Sequence, residues 1–113
     1  MSVHYKGTIS FTRELVETLN LNSGFNVIQD EEKPSDWYLE PTNAADAIKL
    51  RKIESTGVFL FQSTVLARLI LGSLGSDDSM KMLVAKDPID KKEKLHAILT
   101  KSAVKVSRPR KAA

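Results

Sequence analysis

The residues of this chain best equipped for chemistry are its cations. Lys6, Arg13, Lys49, Arg51 and Lys52 lie in the body, and Lys105, Arg108, Arg110 and Lys111 lie towards the end. Lysine and arginine neutralise phosphates, and contacts to base edges then add specificity. Lys49, Arg51 and Lys52 form a small cluster. Arg108-Pro109-Arg110 has the chemistry of an arm laid in a narrow minor groove, because proline keeps the backbone extended. These nine residues are the candidate nucleic-acid contacts, with double-stranded DNA as the expected partner. The plain reading stands beside this one: a charge cluster is a solvated face, and a basic end is a solvated tail.

No catalytic constellation accompanies the cations. His4 and His96 are the only histidines, and neither has companions at ligand spacing for a metal. The chain has no cysteine, which excludes disulfides, thiolate metal sites and a cysteine nucleophile. Ser63 lacks a Gly-x-Ser-x-Gly frame, and helix capping accounts for it. Gly72-Ser73-Leu74-Gly75 has the composition of a phosphate loop. It follows a helical run where such a loop opens one, so its geometry does not suit an anion. Asp30-Glu31-Glu32 reads as an acidic loop tip. The expectation is a protein that is not an enzyme and uses no metal or cofactor.

The charge is unevenly placed. The whole chain of 113 residues is +3, yet residues 101–113 hold five bases and no acid, leaving a slightly acidic body of 12 bases and 14 acids. The length fits one domain. No stretch approaches the run of about 20 apolar residues that spans a bilayer, and Met1–Lys6 carries no apolar signal core. A soluble, cytoplasmic protein without a membrane role is expected.

The elements that must position these residues follow from periodicity. Val3, Tyr5, Ile9 and Phe11 alternate, predicting one strand with a bend or bulge at Gly7. Thr12 caps a helix carrying Leu15, Val16 and Leu19 on one face. Phe25–Ile28 and Trp37–Leu39 read as a hairpin around the polar loop 30–36, with Trp37 and Tyr38 on opposite faces and one of them exposed. Residues 44–53 read as a turn of helix followed by a strand near 47–53. Gly57–Gln62 is a strand apolar on both faces, and Ser63 or Thr64 caps a second, more apolar helix that is either buried or at a subunit interface. Gly72 and Gly75 are expected to end it. Met80–Val84 is a strand. Residues 93–99 read two ways, as a strand by analogy with Trp37–Leu39 or as a helix by composition.

That analogy comes from an internal duplication. Gly7-Thr8-Ile9-Ser10-Phe11 recurs fifty positions on as Gly57-Val58-Phe59-Leu60-Phe61, and Leu15, Val16, Leu19 and Leu21 recur as Val65, Leu66, Leu69 and Leu71. The fold expected is α+β, a small duplicated domain of two strand–helix–strand–strand halves with pseudo-twofold symmetry. The first half covers 1–53, the second 54–101, and a basic tail 102–113.

The span Lys6–Ile28 resembles the swapped-hairpin DNA-binding domain of the AbrB, MazE and MraZ families. The residues that carry the likeness are Gly7-Thr8-Ile9-Ser10-Phe11, Thr12-Arg13-Glu14-Leu15-Val16, Leu19-Asn20-Leu21 and Gly24-Phe25. Thr12 stands where those families have proline, Val16 at a commonly basic position, Asn20 for a glycine and Phe25 for an aspartate. The resemblance implies interleaved halves, a homodimer and a DNA-contact role for Arg13 with Lys6 beside it. The expected function is therefore a DNA-binding transcriptional regulator or antitoxin-like protein. The alternative is a non-enzymatic protein-interaction or assembly module that uses the apolar second helix and an exposed aromatic residue.

Overall fold

Short alternating runs and two capped helical segments fold into one eight-stranded antiparallel sheet that curls on itself. The computed structural model describes residues 1–76, 78–89 and 95–105. The strands are β1 (Ser2–Val3), β2 (Thr8–Phe11), β3 (Phe25–Gln29), β4 (Trp37–Pro41), β5 (Arg51–Ile53), β6 (Val58–Gln62), β7 (Met80–Val84) and β8 (His96–Lys105). Their order across the sheet is β3-β4-β8-β7-β1-β2-β6-β5. Helix α1 (Arg13–Leu19) follows β2, and α2 (Thr64–Ser73) follows β6. Among the described residues no helix is long and apolar enough to cross a membrane.

The helix starts obey capping chemistry. Thr12 Oγ1 accepts a hydrogen bond from Leu15 N at 3.2 Å, and Ser63 Oγ accepts one from Leu66 N at 3.2 Å. Each satisfies a backbone donor that has no partner within its helix. Helix α1 has only seven residues, too few to persist on propensity alone. Burial of Val16 and Leu19 holds it down. Asn20 ends it in the left-handed conformation, with φ 56°, which asparagine tolerates. Helix α2 runs through Gly72 and ends at Ser73, with Leu74 as its C-cap and Gly75 in the turn beyond.

The core lies inside the curl. Phe11, Phe25 and Phe61 meet there, with ring centroids 5.4 Å apart for Phe11–Phe25, 5.5 Å for Phe25–Phe61 and 6.4 Å for Phe11–Phe61. The first two contacts are edge-on, the geometry that ring quadrupoles favour. Val3, Ile9, Leu39, Met82, Val84 and Ile98 complete the strand contribution, Leu21 comes from the 3-10 turn after α1, and Ala67, Ile70 and Leu71 come from α2. Trp37 is buried beside them, and its Nε1 donates to Ser73 Oγ at 2.8 Å, which ties β4 to the end of α2. At the sheet's margins Phe25 and Ile48 exchange both backbone hydrogen bonds, at 3.1 and 2.8 Å. That bridge brings edge strand β3 against the chain leading into edge strand β5.

Several expectations are corrected here. The expected α+β assembly of two swapped-hairpin half-domains is not what forms. The molecule is mostly strand, in a single curled sheet, with two helices of 7 and 10 residues. The strands of the two segments pair with each other, β2 with β6, β4 with β8 and β1 with β7, which merges them into that one sheet and leaves neither half a sheet of its own. The two copies also differ in shape, since β4 has five residues and β8 has ten. The run Val3–Phe11 is two strands and not one bent strand. Residues 4–7 form a turn in which His4 N donates to the Thr8 carbonyl and Gly7 N to the His4 carbonyl. Of the two readings for 93–99, the strand is the one found over residues 96–99, while 93 and 94 lie outside the described residues.

Gly7 and Gly57 occupy equivalent places in the sequence repeat and unlike places in the fold. Gly7 has φ +112°, and a Cβ there would lie 2.8 Å from Thr64 Oγ1 and 3.0 Å from Thr64 Cα. Gly57 has φ +70° and nothing within 4 Å of its would-be Cβ. Gly7→Ala is therefore expected to cost about 2–3 kcal/mol from backbone strain and contact with α2. Gly57→Ala should cost about 1 kcal/mol from φ alone. Phe25→Ala should cost about 3–5 kcal/mol through the cavity it leaves. Urea unfolding of the three variants measures all of these values.

Candidate functional site

Six of the nine candidate cations lie within the described residues. Lys6 sits in the β1–β2 turn with its Nζ 5.8 Å from the Tyr5 ring centroid. Arg13 opens α1, and its Nε donates to Glu17 Oε1 at 2.9 Å, an exposed i,i+4 pair. Lys105 ends β8 with its Nζ 3.9 Å from Asp78 Oδ2. Lys52 and Arg51 are neighbours on β5, so their side chains point to opposite faces of the sheet. Arg108, Arg110 and Lys111 lie outside the described residues.

Lys49 and Arg51 do come together. They line one open groove of about 490 Å³ with Ile48, Leu60, Phe61, Gln62, Ser63 and Leu66. The register explains the arrangement, since Arg51 pairs with Leu60 across β5 and β6. The chain then passes through Phe61 and Gln62 to Ser63, which caps α2, and Leu66 projects from the first turn. Lys49 Nζ donates to the Ser23 carbonyl, outside the groove lining. Among the described residues the side chain of Arg51 has no hydrogen bond or ion pair. The first turn of α2 carries no acidic residue, so its positive dipole end is not offset by a side chain there.

Beside the groove, α2 has an apolar outer face. Val65 is 72% exposed and Leu69 53% exposed, while Ala67, Ile70 and Leu71 are buried. Residues four apart in a helix are neighbours, so Val65 and Leu69 form one stripe. A second apolar patch lies on the outer face of the sheet, where Leu83 and Leu99 are cross-strand partners and are 66% and 41% exposed. The sequence signals for these features were the adjoining Lys49 and Arg51 and the strand Gly57–Gln62, apolar on both faces. Ile48 and Leu66 as groove walls depend on tertiary placement and had no local signal.

The remaining candidates have structural roles. His4 Nδ1 accepts from Lys6 N at 3.2 Å, and buried His96 donates from Nδ1 to the Ala85 carbonyl at 3.0 Å. Trp37 is the core member of the aromatic pair. Tyr38 is half-buried, and its hydroxyl lies 3.4 Å from Asp30 Oδ2. No group of three or more His, Asp or Glu side chains placed to hold a metal occurs among the described residues.

The acidic loop is organised by Asp30, whose Oδ1 accepts from Glu32 N at 2.8 Å and Lys33 N at 3.0 Å. These backbone donors hold its carboxyl below the ordinary aspartate value. Burial, and then the Asp30 charge, push the Tyr38 phenol above its ordinary value. A depressed folded-state carboxylate contributes stability above its unfolded value and loses it as pH falls through the folded one. Carbon NMR titration should therefore place the Asp30 midpoint below that of an ordinary aspartate. Amide exchange at Glu32 and Lys33 should accelerate only once the pH falls past that midpoint.

Comparison with protein-family models, with curated proteins and with solved structures returned no match for this chain.

Proposed function

We propose that the protein is a non-enzymatic interaction module that binds a partner polypeptide through the outer face of α2 and the groove at its start. The observation that carries this reading is the exposure of Val65 and Leu69 on one helical stripe next to an apolar-floored groove. An apolar stripe left in water forgoes roughly 25 cal/mol for each Å² that a partner would cover. Contiguous patches of this kind mark contact surfaces more often than isolated exposed residues do. Tyr38 is a weaker anchor than the sequence implied, because its hydroxyl is already engaged by Asp30.

The test uses the whole chain and a Val65→Asp/Leu69→Asp variant as baits for affinity capture. Both positions are exposed, so the variant should melt within a few degrees of the parent. A stoichiometric protein retained by the parent and depleted about tenfold or more by the variant supports the module. Identical eluates from the two baits refute it.

DNA binding is the second reading, and the specific observation in its favour is the pairing of Lys49 with an unpartnered Arg51 at the start of α2. Duplex titrations at two salt concentrations decide it. Binding that weakens steeply with salt, with a slope reduced by about 2 in Lys49→Ala/Arg51→Ala, supports this reading. No binding at low salt removes it.

A further inference from the structure

We infer that the groove beside α2 takes an acidic segment of a partner polypeptide, one in which carboxylates stand next to apolar side chains. This deepens the interaction-module reading and rests on it. The groove is lined by two cations and no carboxylate, in a chain that has 14 acidic residues. Within residues 1–100 acids outnumber bases, so an all-basic lining is a local departure from the surface around it. Lys49 gives one donor to the Ser23 carbonyl, and an ammonium has two more to offer. Arg51 has its whole guanidinium fork available among the described residues, and that fork matches a carboxylate with two parallel hydrogen bonds.

The floor is the second part of the argument. Ile48, Leu60 and Leu66 are half-buried and face the same space as the two cations. The exposed stripe of Val65 and Leu69 continues this apolar surface along α2. A phosphate backbone would satisfy the rim and leave the floor uncovered. A purely apolar segment would cover the floor and leave the guanidinium without a counter-charge, and a basic segment would be repelled. An acidic segment with interspersed leucine-like residues meets both demands at once.

A random peptide library displayed on phage and selected against the full chain tests this. The expected result is enrichment of sequences in which Asp or Glu lies within a few positions of Leu, Ile or Phe. The best selected peptide, labelled for fluorescence anisotropy, should lose about tenfold or more in affinity when its acids become Gln. It should lose as much against Lys49→Glu/Arg51→Glu. Both positions are exposed or near the surface, and circular dichroism of that variant should match the parent. Binding should shift the amide resonances of Leu60 and Leu66. Enriched peptides without acidic bias, or equal binding to the charge-reversed variant, overturn the charge assignment while leaving the module reading in place. A selection that enriches nothing overturns this inference, and the capture experiment with the α2 variant then decides the module reading separately. Displacement of the peptide by duplex DNA that itself binds more tightly overturns the inference in favour of nucleic acid.

Discussion

A sheet of eight strands has two bare edges unless it bends far enough to bring them together, and bare edges invite pairing with other chains. In this protein the reciprocal hydrogen bonds between Phe25 and Ile48 help to secure the bend. Much else follows from that contact. It directs the Phe25 ring inward, where it meets Phe11 and Phe61 edge-on. It also places the residue after Ile48 at the margin of the sheet: Lys49, whose ammonium reaches the Ser23 carbonyl. The core and the basic rim of the groove are thus two sides of one closure. Loosening the bridge would disturb both together.

Helix placement shows the same interdependence between distant parts of the chain. Helix α2 packs against β1 and β2, while α1 packs against β6. Each helix is therefore seated on strands from the other part of the sequence. The contact of Gly7 with Thr64 is where this arrangement is tightest, since the Gly7 carbonyl also accepts from Ser63 N at 2.8 Å. The first turn of the molecule and the start of α2 are built as one unit.

Local chemistry was readable in the sequence, and long-range pairing was not. Thr12, and the pair Ser63-Thr64 of which Ser63 is the cap, stand out because hydroxyl, spacing and following apolar residues agree. The loop 30–36 and its hairpin were equally plain, and the left-handed Asn20 was within the known habits of asparagine. The turn at residues 4–7 was missed because Tyr5 keeps the alternation going through it. Strand β8 was obscured because lysine, leucine and alanine favour a helix, a preference that cross-strand burial of His96 and Ile98 overrides. The duplication was real as a pattern of residues, yet similarity of residues did not dictate separate halves. Once β2 found β6 as its neighbour, one shared sheet was the outcome. For the site, two of the nine cations, Lys49 and Arg51, proved to share a groove. Charge in a sequence says nothing of whether a nearby carboxylate, such as Glu17 beside Arg13, already answers it.

The chain has a single tryptophan, and its indole N–H is tethered to Ser73 at the far end of α2. Its emission colour and lifetime therefore depend on whether that helix is seated. Any event that lifts or tightens α2, from heating to docking of another molecule, can be followed in the native protein by ultraviolet excitation, without attaching a dye.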